Sequence, residues 1–158
     1  MQKVCGERGK LIFLLDKIRI VCCFVFLLLE ALADRKKQKV YLIPAGVFFF
    51  IGIVLSILQG KEDFIYSVIG AASGGLVILF SFFTKEQIGY GDGFVLLTTG
   101  ALLGFRVNLY MFLFGLFFAS LKGIWLLMTK KANRKTKMAF VPFLLPGLML
   151  SVMLTMSA

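Results

Sequence analysis

The sequence contains no histidine, and this absence removes the side chain that most often serves as a general base near neutral pH. Ser–His and Cys–His nucleophile pairs are therefore excluded. The three cysteines, Cys5, Cys22 and Cys23, form no Cys-x-x-Cys pair, so a zinc site is not expected. We predict a protein with neither a metal nor a cofactor.

Charged residues are also scarce, and they leave long apolar runs between them. Only 16% of the 158 residues are Asp, Glu, Lys or Arg, whereas 59% are hydrophobic. A soluble domain of this size has too little interior to bury so much apolar side chain. We therefore predict an all-α polytopic membrane protein, a single domain over residues 1–158 with about six transmembrane helices in one bundle.

The expected spans are 18–33, 40–58, 64–83, 93–105, 107–128 and 138–157. The first and fourth are shorter than the roughly twenty apolar residues that cross a bilayer. The first reaches a full span only if it extends past three charged residues to include 11–15. Small residues at four-residue spacing, such as Gly70 and Gly74, predict close packing between helices.

Basic residues give the chain a formal net charge of +10, and half of them cluster in two short segments, 34–39 and 130–137. Basic loops between apolar helices are typical of the cytoplasmic side of a membrane, where they meet anionic lipids. We favour this interpretation over nucleic-acid binding. It predicts a multi-pass protein of the inner (cytoplasmic) membrane with these loops facing the cytoplasm.

Two of the eight acidic residues, Asp34 and Asp92, lie where an apolar run meets this cytoplasmic boundary. A carboxylate at such a depth is costly and marks a candidate functional site. For Asp34 the alternative is a surface ion pair with Arg35 or Lys36. Two carboxyl groups held close together can share one proton, which is the arrangement that splits a peptide with water.

Three segments carry a resemblance to a known family. They are "ALADRKKQKV" (31–40), "GYGD" (89–92) followed by "LLTTGALLGF", and "KMAFVPFLLPG" (137–147). Together they resemble the type IV prepilin peptidases, Gly-x-Gly-Asp aspartyl proteases of microbial membranes. The resemblance implies that Asp34 and Asp92 are catalytic and that Gly89 and Gly91 shape the turn that presents Asp92. It also implies cleavage of the basic leader of prepilin-like substrates at the cytoplasmic face, in type IV pilus or secretion pathways.

The chain departs from the family pattern in three places. The Ile-Pro-Asn that usually follows the first aspartate is replaced by Val40, Tyr41 and Leu42, and the usual lysine after Gly-x-Gly-Asp is missing. The paired Cys-x-x-Cys of the family's methyltransferase region is also missing. We therefore expect an aspartic endopeptidase without N-methylation activity.

Three further residues are candidates for lining the substrate site: Glu30, Gly93 and Lys122. Glu30 lies four residues before Asp34 on the same helical face, where it could tune that acid or pair with a Lys or Arg at the interface. Lys122 interrupts the fifth span, and we favour a side chain that extends toward the cytoplasmic boundary.

Two other function classes stay open at this point. A small proton-coupled transporter would also use intramembrane carboxylates, although a carrier acid tends to lie near mid-membrane and no inverted repeat is evident. A non-catalytic subunit of a pilus or secretion machine would retain the same aspartates without using them.

Overall fold

A computed structural model describes residues 2–37, 41–83, 90–129 and 140–157, and the described part is entirely helical. It contains five α-helices, which are α1 (Gln2–Lys37), α2 (Leu42–Gln59), α3 (Lys61–Phe83), α4 (Tyr90–Met128) and α5 (Val141–Ser157). The basic segment 130–137 lies outside the described residues. The predicted all-α architecture is confirmed.

Three helices are long and apolar enough to cross a membrane: Leu42–Gln59, Lys61–Phe83 and Tyr90–Leu126 within α4. A shorter apolar segment, Val141–Thr155, lies in α5. Large apolar side chains point away from the bundle, and Phe50, Phe82 and Trp125 are each about 70% exposed. Such an apolar exterior is typical of a protein surrounded by lipid and is rare on a soluble monomer.

Helix α1 is much longer than the predicted span 18–33. It continues through Asp16, Lys17 and Arg19 without a break. Arg19 lies inside the bundle, where it is only 5% exposed and hydrogen-bonds to groups of α2, α3 and α4. The continuous course of α1 confirms that the apolar residues 11–15 belong to the same helix.

Helix α4 reverses direction at Gly104, where the backbone is non-helical with φ 75° and ψ 173°. The side chain of Asn108 contacts Thr99 at 2.7 Å and donates to the carbonyl oxygen of Leu96 at 3.2 Å. In a straight helix, residues 96 and 108 would be separated by about 18 Å along the axis. The segments before and after Gly104 therefore fold back against each other.

Arg19 stabilises this reversal from a neighbouring helix. Its Nε donates to the carbonyl oxygen of Leu102 at 2.6 Å, and one Nη donates to that of Ala101 at 3.4 Å. These carbonyls belong to the last turn before Gly104, where helix ends leave acceptors without partners and carry partial negative charge. A buried cation thus caps the first arm of α4.

Replacing Gly104 with alanine is expected to destabilise the protein by about 1–3 kcal/mol, because this combination of φ and ψ is nearly confined to glycine. The measurement is the thermal unfolding midpoint in detergent. Gly123→Ala is the matched control, since a Cβ at Gly123 meets no atom within 4 Å. Equal midpoints for the two variants would contradict the conformational role of Gly104.

Helices α3 and the first arm of α4 pack antiparallel, with backbone against backbone. A Cβ added at Gly70 or Gly100 would overlap the other residue's carbonyl group, and one at Gly74 would overlap the backbone of Leu97. The close approach predicted from the small-residue spacing is therefore present. This contact fixes the position of the first arm of α4 along α3, and therefore the position of its first turn, where Asp92 lies.

Candidate active site

Asp34 lies near the C-terminal end of α1 and is 7% exposed. Its Oδ2 accepts a hydrogen bond from the backbone N–H of Val141, with an N–O distance of 3.4 Å. The backbone N–H of Phe140 also faces this carboxyl group. Both donors lie at the beginning of α5, whose N-terminal end carries partial positive charge. The carboxyl of Asp34 is thus held where an anion is stabilised.

Asp92 lies in the first turn of α4 and is half-buried. Its carboxyl group is close enough to that of Asp34 for their charges to interact. No hydrogen bond to Asp92 occurs among the described residues. Two acids that are distant in the sequence therefore lie at the same end of the bundle, with different surroundings.

Glu30 adds a third carboxyl group one helical turn before Asp34. It is 1% exposed, and its Oε2 accepts a hydrogen bond from the backbone N–H of Tyr41 at 3.0 Å, at the start of α2. Its Oε1 is buried and has no hydrogen-bond partner in the described part of the chain. Neither oxygen pairs there with Lys or Arg, so the interfacial ion pair considered from the sequence is not found.

We expect Glu30→Ala to destabilise the protein by about 1–3 kcal/mol, because it leaves the Tyr41 N–H without its acceptor. Glu30→Gln keeps an acceptor oxygen at the same place and is expected to unfold close to the parent protein. The exposed Glu62→Ala serves as control. Unfolding midpoints measured in detergent decide the point: if Glu30→Ala and Glu62→Ala behave alike, the contact with Tyr41 does not hold α2.

The other predicted site residues take different positions. Gly91 lies in the first turn of α4, and Gly89 lies outside the described residues. Gly93 is buried against α3, where an added Cβ would lie 2.5 Å from Ile78 Cγ1, so it is a packing residue. Lys122 is exposed, and its Nζ lies 5.8 Å from the ring centroid of Phe143 in the first turn of α5. The second arm of α4 thus returns toward the end of the bundle that holds Asp34.

The N-terminal ends of α2, α4 and α5 converge on these acids, a feature that the sequence analysis did not identify. The start of α2 contacts Glu30, the start of α5 contacts Asp34, and the first turn of α4 contains Asp92. A signal was present in the sequence: Pro44 and Pro142 lie in the first turns of α2 and α5, and proline is favoured there. Three helix N-termini around three carboxyl groups make a site that favours negative charge.

No group of three or more metal-binding side chains occurs among the residues with described positions. The site is a pair of boundary carboxyl groups, supported by a third, in an apolar helical bundle. Carboxyl groups can act as general acids and bases.

The fold and the site together define a helical membrane protein with two acids at one end of its bundle. The model of the type IV leader peptidase family matches residues 21–128, a range that contains both Asp34 and Asp92. The chain therefore belongs to the type IV leader peptidase family, as the resemblance of its motifs implied. No curated protein and no solved structure matches it.

Proposed function

We propose that this chain is a membrane-embedded aspartyl endopeptidase that removes the basic leader from type IV prepilin-like proteins. Membership of the leader peptidase family supports a peptidase acting on prepilin-like substrates. The observation that carries the proposal is the meeting of Asp34 and Asp92 at one end of the bundle. In this proposal both are catalytic residues.

The surroundings of the two acids differ in a way that assigns their roles. Asp34 faces backbone N–H donors at the start of α5, and donors of this kind stabilise a carboxylate. Asp92 has no such donor among the described residues, and the negative charge of Asp34 disfavours a second negative charge on it. We therefore assign Asp34 as the ionised member and Asp92 as the protonated member before cleavage.

The reaction then follows from these protonation states. Asp34 takes a proton from water while the water oxygen bonds to the scissile carbonyl carbon, and Asp92 donates its proton to the carbonyl oxygen. Collapse of the tetrahedral intermediate breaks the C–N bond, restores the carbonyl and moves a proton to the leaving amine. The products are a new carboxyl group and a new amino terminus, and both acids return to their starting states.

The proposed topology has six membrane crossings. Since α4 reverses at Gly104, its two arms provide two of them, and α1, α2, α3 and α5 provide the rest. In the sequence, the basic segment 34–39 includes Asp34 and the basic segment 130–137 precedes α5, and the positive-inside rule supports a cytoplasmic position for the end of the bundle that holds the acids. Anionic lipids would surround these loops.

The proposed substrate carries a basic leader followed by an apolar helix that stays in the bilayer, as in pilus and secretion subunits. Lys122 is placed to line its path, because it lies near Phe143 at the same end of the bundle as Asp34. Glu30 lies beneath the surface and acts in this proposal on Asp34 rather than on the substrate. The proposed activity is cleavage alone, without N-methylation.

The test is direct cleavage by the purified protein in detergent. A peptide with a basic leader, a Gly–Phe junction and an apolar tail is incubated with it, and the products are identified by mass spectrometry. The proposal predicts a single cut after the glycine. Intact peptide with folded protein, together with proton-linked uptake in vesicles, would instead support the transporter.

A further inference from the structure

A cavity of about 200 Å³ lies between α1, α4 and α5, away from the paired acids. Its polar lining comes from Asp16, Arg19 and Thr155, and its apolar lining includes Ile20, Leu103 and Val152. Nothing in the proposed peptidase reaction uses these residues. A cavity that is charged at one side and apolar at the other matches an amphipathic ligand.

The depth of this cavity places it at the opposite membrane boundary from the acids. Along α1, Arg19 lies about 22 Å from Asp34 and Asp16 lies about 27 Å from it, at 1.5 Å per residue. The hydrocarbon core of a bilayer is about 30 Å thick. With Asp34 at one boundary, Asp16 reaches the headgroup level of the other leaflet and Arg19 lies just beneath it.

Arg19 is a buried cation that hydrogen-bonds only to neutral groups among the described residues, while the charges of Asp63 and Asp16 also act on it. Its guanidinium donates to the hydroxyl groups of Ser56 and Ser67 at 3.2 and 2.6 Å, to Gln59 Oε1, and to the capped carbonyls of α4. One N–H of the Nη1 that binds Gln59 has no acceptor among these contacts. Because no carboxylate accepts a hydrogen bond directly from this guanidinium among the described residues, an anion in the adjacent cavity would be stabilised by it.

Asp16 limits which anion fits. Its Oδ1 accepts a hydrogen bond from Gln59 Nε2 at 2.7 Å, and its side chain also lines the cavity. A purely anionic group would be repelled by this carboxylate. A group that carries both a phosphate and an ammonium would place the phosphate at Arg19 and the ammonium at Asp16.

We propose that this cavity binds the headgroup of a phospholipid with a phosphate and a primary ammonium, such as phosphatidylethanolamine, from the outer leaflet. The phosphate accepts from Arg19, and the ammonium donates to the carboxylate of Asp16. An acyl chain follows the apolar side of the cavity past Ile20, Leu103 and Val152. The lipid joins α1 to α4 and α5 beside the reversal at Gly104.

The test measures the unfolding midpoint of the purified full chain in detergent while one additive is titrated. Phosphatidylethanolamine is compared with phosphatidylglycerol, phosphatidylcholine, soluble phosphoethanolamine and inorganic phosphate. The proposal predicts a saturable rise in midpoint at the lowest concentration for phosphatidylethanolamine, at least tenfold below the others. Equal shifts for all three lipids, or a full shift with inorganic phosphate alone, would overturn it.

Two variants separate the cavity from general lipid effects. Val152→Trp fills the cavity, while Met153→Trp places the same ring on the adjacent lipid-facing position, which is 69% exposed. Only the first is expected to raise the concentration of phosphatidylethanolamine needed for the shift, by tenfold or more. If Val152→Trp does not fold, Asp16→Asn replaces it, and the proposal then requires that the preference over phosphatidylglycerol is lost. Retention of that preference overturns the proposal and leaves the peptidase assignment untouched.

Discussion

Replacing either Asp34 or Asp92 with asparagine is expected to lower the rate of leader cleavage by about 10²–10⁴-fold, the usual contribution of a positioned acid or base. Asparagine keeps the size and the acceptor oxygen of the side chain but cannot exchange a proton. Because the two carboxyl groups lie within range of each other's charge, the proposed mechanism requires both, and loss of either is expected to stop it. The measurement is the initial rate of cleavage of the peptide substrate by each purified variant.

A matched carboxylate control is available in the first turn of α3. Glu62 is exposed and belongs to the helix end that follows Gln59 and Gly60, away from the acid pair. Glu62→Gln is expected to cleave at the parent rate, and all three variants are expected to keep the parent unfolding midpoint within a few degrees. Normal cleavage by Asp34→Asn or by Asp92→Asn would remove that residue from the catalytic machinery.

The second large effect is expected at the contact between α3 and α4. Gly74→Ala would drive a Cβ into the backbone of Leu97, and neither helix has a flexible side chain there that could move aside. Overpacking of this kind costs about 1–3 kcal/mol, and we expect a value near the upper end because backbone must shift on one side. Cleavage is expected to fall as well, since this contact holds the arm that carries Asp92.

Gly75→Ala is the matched control, because it adds the same methyl group to the next residue of the same helix. An added Cβ at Gly75 meets nothing within 4 Å, so the unfolding midpoint should stay at or slightly above that of the parent. The measurement is the free energy of unfolding of each variant, obtained by denaturant titration in mixed micelles. A Gly74→Ala variant as stable as Gly75→Ala would mean that the two helices do not meet as described.

Much of the architecture can be predicted from the sequence. Apolar runs long enough to cross a membrane form helices, because a helix satisfies its own backbone hydrogen bonds in lipid. The fourth and fifth predicted spans, 93–105 and 107–128, meet within two residues of the reversal at Gly104. Asp34 and Asp92 could also be selected from the sequence, since a carboxylate at a membrane boundary is rare, and their catalytic roles stay a prediction. The resemblance to the prepilin peptidases strengthened that prediction, because its motifs contain both aspartates.

The remaining features depend on contacts between distant segments, which the sequence pattern does not reveal. The burial of Arg19 rests on partners from α2, α3 and α4, and no pattern in the sequence brings these partners together. The contact of Glu30 with the backbone of Tyr41 cannot be predicted from residue types, because any residue except proline at position 41 would offer the same N–H group. The close contact of Gly93 with Ile78 of α3 is likewise absent from the sequence pattern, and its place at the substrate site stays a prediction.

The central claim is that Asp34 and Asp92 act as one catalytic unit, and cleavage by the double variant Asp34→Asn/Asp92→Asn tests it most directly. Residues that work as a unit lose nearly all of their contribution when either is removed. Single-turnover rates for both single variants and the double variant should therefore fall to the same residual value. A double variant whose loss equals the product of two separate partial losses, or a single variant that cuts at the parent rate, would contradict a shared mechanism.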